Sequence, residues 1–372
     1  MSAPVPFLDL RQPTAALRGQ IDGAIARVLD RGLYLLGPEL EAFESEFASW
    51  CGARHCAGVA SGFSALQLIV RACGIGPGDE VIVPGNTHIA TWLAVTSAGA
   101  RPVPVDPDAA TRVITAAGAE SAITPRTRAV FAVHLYGMPC DLKGLSELCR
   151  GRGLRLLVDA AQSAGAEIDG SRNLCHGDAA AYSFYPTKNL GALGDGGAVV
   201  TDDPEIDGAV RLLRNYGMRH FADHPMRGVN ARMEEIHAAV LREKLVLLDE
   251  WNARRAALAR RYMGRLEGMP GVAGPEVPGW AGHAWHLFVV EVEDRDLIRR
   301  RLDAEGIGTA VHYPLPPHRT AALETVGPFP PLPITDRLSR RVLSLPMNPF
   351  LSDAQADRVM DALAGALGKV GG

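Results

Sequence analysis

The sequence lacks the features that would assign the protein to a membrane or to nucleic acid. Its longest apolar stretches fall short of the roughly 20 residues that a membrane-spanning helix requires. Residues 1–6 show no basic region followed by an apolar run, so we expect no signal peptide. A net charge of −4 over 372 residues offers no basic surface to nucleic acid or acidic lipid. We therefore expect an ordinary globular protein that binds neither.

Cysteine and glycine motifs are also missing. No C-x-x-C spacing occurs and no zinc-type pairing follows the six cysteines, which are Cys51, Cys56, Cys73, Cys140, Cys149 and Cys175. We therefore expect reduced thiols and a cytoplasmic location. The sequence has neither G-x-G-x-x-G nor a Walker motif, which argues against a nucleotide-binding oxidoreductase.

What the sequence does contain is a regular alternation of apolar and helix-like segments between residues 55 and 220. Several apolar segments are hydrophobic almost throughout, which is typical of strands buried on both faces. The alternation predicts an α/β sheet with helices on both faces. Strands are predicted at 55–60, 80–84, 102–106, 129–134, 154–160, 180–184 and 197–201, and helices at 62–73, 89–98 and 142–150.

The last third of the chain predicts a smaller α+β unit. A chain of 372 residues suggests about two domains, which we place at 1–247 and 248–372. The proline-rich residues 314–333 predict an irregular loop. The other expected elements are a long amphipathic segment at 233–262, strands at 284–292 and 308–312, and helices at 294–305 and 352–367.

Two residues capable of chemistry follow predicted strands. Asp159 ends an apolar strand at the carboxyl edge of the sheet, where α/β folds bind ligands, although an aspartate there can also cap a helix. Lys188 leaves a strand into a loop rich in Pro, Thr, Asn and Gly, although a lone lysine is usually a surface charge. As a pair they match the needs of pyridoxal 5'-phosphate (PLP). That cofactor requires an amine to hold its aldehyde and move a proton, and an acid to keep its ring nitrogen protonated.

A third segment offers a cradle for a phosphate group. Residues 61–65 (Ser-Gly-Phe-Ser-Ala) join the strand ending at Ala60 to a helix that we expect to begin near Ser64. Free N–H groups and the positive end of such a helix bind a dianion. A plain strand-to-helix turn has the same pattern, so this segment gains meaning only beside Asp159 and Lys188.

Together these segments resemble the DegT/DnrJ/EryC1/StrS family of sugar aminotransferases, within the fold-type I PLP enzymes. The resemblance covers almost the whole chain. It implies a large α/β domain with a mostly parallel central sheet and a small C-terminal α+β domain. Its landmarks are PFLDL at 6–10, GDEVIVP at 78–84, DAAQ at 159–162, SFYPTKN at 183–189, GVNARM at 228–233, HYP at 312–314 and SLPM at 344–347.

Carried over residue by residue, the resemblance implies how the cofactor ring is held. Lys188 carries PLP as a Schiff base and shuttles the proton. Asp159 pairs with the pyridinium nitrogen, and Gln162 approaches the ring hydroxyl. Relatives place Phe or Tyr over the ring, where this chain has His88. We expect the imidazole to stack there as well, as a group that titrates near neutrality.

The resemblance also implies how the phosphate is held. Gly62, Phe63, Ser64 and Ser183 bind it within one subunit. Asn230 reaches the phosphate of the neighbouring subunit, which implies a homodimer with shared active sites. Many relatives have Thr where this chain has Phe63, so we expect backbone N–H groups to bind there and the phenyl ring to pack elsewhere.

Further residues are expected to face substrate. The resemblance places His312 and Tyr313 near the sugar, and Tyr185 lies beside the cofactor lysine. His134 follows a strand and is either a hydrogen-bonded structural residue or part of the site wall. His237 lies on the amphipathic segment, where a structural role is favoured.

The reaction follows from the lysine itself. A related branch of the family dehydrates sugars and has histidine in place of the lysine, so Lys188 favours transamination. The expected donor is L-glutamate, which leaves the cofactor as pyridoxamine phosphate, and the expected acceptor is a nucleotide-linked keto-sugar. Residues 86–95 and 184–197 most resemble enzymes that act on dTDP-linked 3-keto-6-deoxyhexoses in antibiotic or surface-glycan biosynthesis. A 4-keto aminotransferase and a catalytically silent PLP-binding regulator are the alternatives.

Overall fold

A seven-stranded sheet lies at the centre of the fold. The structure is a computed structural model that describes residues 3–172 and 177–368. In spatial order the strands are β1 (His55–Val59), β8 (Gly197–Thr201), β7 (Ala179–Ser183), β5 (Arg155–Asp159), β4 (Thr127–Val133), β2 (Glu80–Pro84) and β3 (Arg101–Val105). β8 runs antiparallel to both of its neighbours, and the remaining pairs are parallel. The predicted mostly parallel sheet is confirmed, and the bounds of the seven strands predicted for it lie within two residues of the observed ones.

Alternate residues of each central strand enter two different apolar clusters. In β2, Val81 and Val83 pack on one face while Ile82 packs on the other. This period of two explains why the strands are apolar almost throughout. The first face is covered by α4 (Gly62–Ala72), α5 (Ile89–Ser97) and α8 (Pro204–Leu213), and the second by α3 (Pro38–Cys51), α7 (Leu142–Arg152) and α9 (Glu235–Leu245). A ligand can therefore reach the sheet only at its edges.

The helices that precede the sheet were not predicted. They are α1 (Arg11–Ala16), α2 (Arg18–Arg31) and α3, and a further short helix, α6 (Ala116–Glu120), precedes β4. The start of α3 is held by the buried carboxylate of Glu235, which accepts hydrogen bonds from the N–H groups of Gly37, Glu39 and Leu40. An acidic side chain at a helix N-terminus satisfies N–H groups that have no acceptor within the helix.

The C-terminal part forms its own apolar cluster, and Val5 from the N-terminal segment packs in it. It contains the three-stranded sheet β9 (Val272–Ala273), β11 (Phe288–Val292) and β12 (Val342–Leu345). Its helices are α10 (Leu248–Leu266), α11 (Arg295–Ala304), α12 (Pro333–Arg341) and α13 (Asp353–Gly368), and short 3₁₀ turns lie at Pro317–Arg319 and Ala321–Val326. A two-stranded ribbon, β6 (Glu167–Ile168) with β10 (Ala281–Gly282), lies beside the central sheet.

Three predictions for this part need correction. The segment at 233–262 is two helices, because the apolar side of α9 packs on the central sheet and that of α10 on the C-terminal cluster. The strand predicted at 284–292 begins only at Phe288. The strand predicted at 308–312 is wrong, because Gly308 bonds backbone to backbone with Val5 and only Ala310 forms a bridge, to Ser344. The predicted helices at 294–305 and 352–367 are confirmed.

Two findings concern membrane-spanning helices and cysteines. Among the described helices, none is both long and apolar enough to cross a membrane. Cys56, Cys73, Cys140 and Cys149 are free thiols, and Cys175 lies outside the described residues.

Candidate active site

A cleft of about 450 Å³ opens at the carboxyl edge of the central sheet. Its walls come from the segments that follow β1, β2, β4, β5 and β7, together with His286 and residues 312–313 from the C-terminal part. Parallel strands deliver their carboxyl ends to one edge, which is why residues distant in sequence meet here. The predicted site residues in this cleft are Gly62, Phe63, His88, Asp159, Gln162, Ser183, Tyr185, Lys188, His312 and Tyr313.

Asp159 is the last residue of β5 and is only 6% exposed. Its carboxylate accepts hydrogen bonds from Thr91 Oγ1 at 2.7 Å and from the N–H of Ala161 at 3.1 Å. Burial raises the pKa of this carboxyl, while these hydrogen bonds and the Lys188 ammonium act in the opposite direction. A buried carboxylate of this kind gains most from a cationic partner, since desolvation penalises its isolated charge.

Lys188 lies in the loop between β7 and β8 and faces the same cleft. The loop is shaped by backbone hydrogen bonds, from the Lys188 N–H to Tyr185 O and from the Ala192 N–H to Phe184 O. Burial lowers the pKa of the Lys188 amine to about 8, and the charge of Asp159 opposes this shift. A substantial fraction of the amine is therefore neutral near physiological pH, as a nucleophile or proton acceptor requires.

The start of α4 forms the anion cradle. Ser61 caps the helix, because its Oγ accepts from the Ser64 N–H at 3.0 Å and its carbonyl from the Ala65 N–H at 2.9 Å. The N–H groups of Gly62 and Phe63 then have no acceptor within the helix and are available to an anion. A Cβ at Gly62 would lie 2.5 Å from Ser183 Cβ, so glycine is required where α4 meets the end of β7.

Two details of this cradle differ from expectation. The helix begins at Gly62, as the predicted helix at 62–73 has it, and not near Ser64, where the cradle was expected to end. The Ser64 hydroxyl lies outside the cleft and contacts Ser61 Oγ at 3.0 Å. Phe63 was expected to pack away from the site, but it is 37% exposed and lines the cleft. Asn230 is exposed and lies outside this chain's own cleft.

A hydrogen-bonded pair joins the central sheet to the C-terminal part across the cleft. Gln162 Oε1 accepts from the Tyr136 N–H at 2.6 Å, which fixes the orientation of the amide. Gln162 Nε2 then donates to the Tyr313 hydroxyl oxygen at 2.9 Å. The Tyr313 proton therefore remains free to be donated into the cleft.

Two histidines predicted for the site occupy its walls. His88 caps α5 with Nδ1, which accepts from the Ala90 N–H at 3.2 Å, and its ring lies 5.3 Å from that of Tyr313. Burial and the Lys188 charge lower the pKa of His88. His312 Nδ1 lies 2.8 Å from Ser344 Oγ, and burial, the largest cause, lowers its pKa to about 4.

His134 proves to be both structural and part of the wall, the two roles left open by the sequence. Its Nδ1 accepts a hydrogen bond from the Cys140 N–H at 3.0 Å, and burial lowers its pKa to about 3. The proton therefore resides on Nε2, which has no hydrogen-bond partner among the described residues. His134 thus has a buried, unused donor, and the residue lines the cleft beside the strand that carries Asp159. His237 lies on α9, outside the cleft, 3.4 Å from the carboxylate of Glu234.

Sequence reasoning missed two groups that belong to the site. Thr91 lies in the first turn of α5, and its hydroxyl donates to the Asp159 carboxylate. Thr87 Oγ1 lies 3.0 Å from Thr91 Oγ1. His286 precedes β11 and reaches the cleft from the far end of the chain. A Thr following a strand was a usable signal for the first group, whereas the placement of His286 depends on long-range packing.

The groups in the cleft fit PLP. Asp159 suits a protonated ring nitrogen, and the Lys188 amine suits an aldehyde. The N–H groups of Gly62 and Phe63 suit a phosphate, and the unused donor of His134 suits a ring oxygen. Within residues 3–172 and 177–368, no group of three or more His, Cys, Asp or Glu residues could hold a metal ion.

Comparisons with known proteins identify the family of this chain. The model of the DegT/DnrJ/EryC1/StrS aminotransferase family matches residues 16–364. The chain is 52% identical over 362 residues to a dTDP-3-amino-3,4,6-trideoxy-alpha-D-glucose transaminase of Streptomyces venezuelae, covering 96% of this chain and 95% of that protein. It is also 52% identical to the erythromycin biosynthesis sensory transduction protein EryC1 of Saccharopolyspora erythraea, covering 97% of this chain and 100% of that protein.

The fold also matches that of a solved structure. The crystal structure of S. venezuelae DesV in complex with a ketimine intermediate superposes with a TM-score of 0.95 at 51% identity, covering 98% of each chain. The fold is therefore that of the fold-type I PLP enzymes, and the cofactor is PLP. With a family match over most of its length and a lysine and an aspartate in one cleft, this chain belongs to the DegT/DnrJ/EryC1/StrS aminotransferase family.

Proposed function

We propose that this protein transfers an amino group from L-glutamate to a dTDP-linked 3-keto-6-deoxyhexose and so forms a dTDP-3-amino sugar. The observation that carries the proposal is the meeting of Lys188 and Asp159 in one cleft of a chain that is 52% identical to a dTDP-3-amino sugar transaminase. Such a product would serve antibiotic or surface-glycan biosynthesis.

Asp159 and Lys188 would have different roles toward the cofactor. PLP, when bound, acts as an electron sink that stabilises negative charge at the carbon losing its proton. Asp159, held by Thr91, would keep the ring nitrogen protonated. Lys188 would hold the aldehyde and, once released, move the proton, for which a pKa of about 8 is suitable.

The remaining site residues would position cofactor and sugar. We assign the phosphate to the N–H groups of Gly62 and Phe63, with the hydroxyl of Ser183 beside them. The Ser64 hydroxyl, which lies outside the cleft, would act only through its contact with Ser61. We assign the ring hydroxyl of the cofactor to Gln162. His88 would cover the ring. Tyr185, His312 and Tyr313 would contact the sugar, with Tyr313 donating the proton that Gln162 leaves free.

A homodimer with shared sites is part of the proposal. Several large apolar side chains are exposed around the segment that bridges to α9, including Leu33 at 44%, Tyr34 at 51% and Val229 at 40%. Large apolar side chains left exposed in this way support an interface with a second copy of the chain. Asn230, next to Val229, would bind the phosphate of the partner subunit.

Subunit complementation tests this arrangement. K188A and N230A should each be weakly active alone, whereas mixed dimers of the two should regain activity, because one of their two sites has both intact residues. If each site is built from one chain, mixing will restore nothing. Light scattering of the purified protein gives the oligomeric state independently.

We also propose that the chain divides near residue 247 into a large and a small domain. The start of α10 at Leu248 and the separate C-terminal apolar cluster support this boundary. The free thiols support a reducing compartment, and we keep the cytoplasm as the proposed location.

The decisive experiment for the reaction is a substrate panel. The enzyme is incubated with PLP, glutamate and matched 3-keto and 4-keto dTDP-sugars, and the aminated product is identified by mass and NMR. We expect amination of the 3-keto sugar. Amination of the 4-keto sugar alone would overturn the regiochemistry. If no sugar is aminated and glutamate fails to bleach the visible cofactor band, a silent PLP-binding regulator would replace the enzyme.

A further inference from the structure

Tyr136 has a backbone conformation that a tyrosine rarely adopts. Its φ is 64°, in the left-handed region that favours glycine. Such a conformation costs conformational free energy, persists only where the surroundings hold it, and occurs most often at functional sites. Tyr136 is buried in the turn that follows β4, directly after the cleft residue Leu135. We therefore expect its contacts to have a function beyond packing.

The main chain of this turn is held by the C-terminal part. The Tyr136 carbonyl accepts from the Leu287 N–H at 3.1 Å, and the Gly137 carbonyl accepts from the Ala284 N–H at 2.8 Å. A Cβ at Gly137 would lie 2.9 Å from the Trp285 nitrogen, so glycine is required for the two chains to approach this closely. The position of the Tyr136 backbone therefore does not depend on the Tyr136 hydroxyl.

Tyr136 contacts both sides of the Gln162–Tyr313 pair. Its N–H donates to Gln162 Oε1 at 2.6 Å, and its hydroxyl donates to the backbone carbonyl of His312, the residue before Tyr313. Gln162 Nε2 donates to the Tyr313 hydroxyl oxygen at 2.9 Å. These three hydrogen bonds form a closed loop across the cleft. The loop fixes Tyr313 at both ends, because the Tyr136 hydroxyl holds its backbone and Gln162 holds its phenol.

The groups expected to hold the cofactor do not depend on the Tyr136 hydroxyl. Asp159 accepts from Thr91, and Gln162 accepts from the Tyr136 N–H, which remains when only the hydroxyl is removed. Loss of the hydroxyl should therefore release the segment of Tyr313 and leave the groups around the cofactor in place.

We propose that Tyr136 is a positioning residue for the sugar half-reaction, because it holds the segment of Tyr313 and so places the Tyr313 hydroxyl as a hydrogen-bond donor in the cleft. This inference rests on the proposed contact between Tyr313 and the sugar, and it adds the residue that sets the position of that contact. Because the Tyr313 oxygen accepts from Gln162, its proton is the one directed to the sugar. The half-reaction with glutamate uses Lys188 and Asp159 and does not need the Tyr136 hydroxyl.

The two half-reactions are measured separately in single turnovers. Glutamate bleaches the visible band of the PLP form, and the 3-keto dTDP-sugar restores that band from the pyridoxamine form. In Y136F we expect the rate with glutamate to stay within about twofold of the wild type. The second-order rate constant with the sugar should fall by about tenfold, because one of the hydrogen bonds that place Tyr313 is lost.

The matched control is Y262F. The Tyr262 hydroxyl is also buried and also donates to a backbone carbonyl, that of Pro346 at 2.9 Å, but it lies outside the cleft. A loss of this hydrogen bond should leave both half-reactions unchanged. A slower sugar half-reaction in Y262F, equal to that in Y136F, would reduce the role of Tyr136 to general stability and overturn the proposal.

A double variant tests whether the two tyrosines act together. Y313F should lower the rate with the sugar at least as much as Y136F. In Y136F/Y313F we expect no further loss beyond Y313F, because the hydroxyl that Tyr136 places is already absent. Losses that multiply in the double variant would show that Tyr136 acts independently of Tyr313, contrary to the proposal.

The placement of Tyr313 is tested without substrate by NMR. Full-length, PLP-loaded protein is prepared with ¹³Cζ-labelled tyrosine, and the Tyr313 signal is assigned by its loss in Y313F. We expect this signal to shift or broaden in Y136F and to stay unchanged in Y262F. An unchanged Tyr313 signal in Y136F would show that the hydroxyl does not hold the segment, whatever the rates are.

The outcomes separate this inference from the proposed function. Equal slowing of both half-reactions in Y136F would place its effect at the cofactor, through the His88 ring that lies 5.3 Å from that of Tyr313, and would overturn the role in the sugar half-reaction. Wild-type protein that aminates no sugar would overturn the proposed function. The NMR result would still decide in that case whether Tyr136 positions Tyr313.

Discussion

Two lysines of this protein have the same shifted pKa but lie in different surroundings. Burial lowers the pKa of both Lys188 and Lys244 to about 8. Lys244, on α9, is 6% exposed, and its Nζ donates to the Gly191 carbonyl at 2.6 Å. Lys188 instead opens into the cleft, opposite Asp159. A shifted pKa alone therefore does not mark a catalytic lysine.

The second lysine supports the first. Gly191 lies three residues after Lys188 in the same loop, so Lys244 holds that loop from behind. A Cβ at Gly191 would lie 2.4 Å from the Pro186 carbonyl oxygen, so the loop is also closed tightly on itself. One ammonium fixes the backbone, and the other amine remains free for chemistry.

The largest difference in kcat is expected between the variants that replace Lys188 and Lys244. K188A should lower kcat by on the order of 10³-fold or more, because both the covalent anchor and the proton carrier are lost. K244M should stay within about tenfold of the wild type, because it removes one hydrogen bond to the loop. The measurement is the rate of keto-acid formation from glutamate, with circular dichroism as the check on folding. Equal losses in two folded variants would contradict the distinction.

The next largest effect on kcat is expected when the charge of Asp159, opposite Lys188, is removed. D159N should lower kcat by about 10²-fold, because an amide cannot stabilise a protonated ring nitrogen. D195N is the control, since Asp195 lines the same cleft and takes no part in the Thr91 hydrogen bond. We expect a loss below about tenfold in D195N. The reverse order, in single-turnover rates, would remove Asp159 from its proposed role.

The hydroxyls behind Asp159 should give a graded effect. T91V removes a 2.7 Å hydrogen bond to the carboxylate and should lower kcat by about tenfold. T87V leaves the hydrogen bond to Asp159 in place and removes only the contact between the two hydroxyls, so it should lower kcat about threefold. Steady-state kcat with glutamate in excess checks both values. If T87V proves worse than T91V, the order of this hydrogen-bond chain is wrong.

The smallest expected effect is the contribution of Lys244 to the pH dependence of the unfolding free energy. Its folded-state pKa of about 8 lies below the ordinary 10.5, so between these values the unfolded chain binds more protons and stability rises with pH. From pH 7 to 9 the wild type should gain about 1 kcal/mol of unfolding free energy relative to K244M. Urea unfolding at the two pH values measures this. A constant difference would show that the Lys244 pKa is not lowered.

The parts of the fold that could be predicted share one physical property. The central strands are buried on both faces, so their sequences are apolar almost throughout, and Asp159 and Lys188 stand out because each follows such a strand. The helix α3 was missed because it contains buried Glu39 and Glu44, whose arginine partners come from distant helices. The Pro38 near its start and Gly52 after its end were the available signals.

The parts of the site that could not be predicted depend on contacts between distant segments. His286 reaches the lysine loop through Asn189, 97 positions earlier in the chain. The direction of the Gln162 amide depends on the backbone of Tyr136. A sequence motif identifies which residues are present at such a site, whereas these contacts decide which of them donate and which accept.

The comparison of the two lysines is tested most directly by chemical trapping. The PLP-loaded protein is reduced with borohydride, digested and analysed by peptide mass spectrometry. We predict that the visible absorption band disappears and that the phosphopyridoxyl group is found on Lys188 and not on Lys244. A label on Lys244 or on another lysine, or a protein that takes up no cofactor, would contradict the assignment of this cleft as the active site.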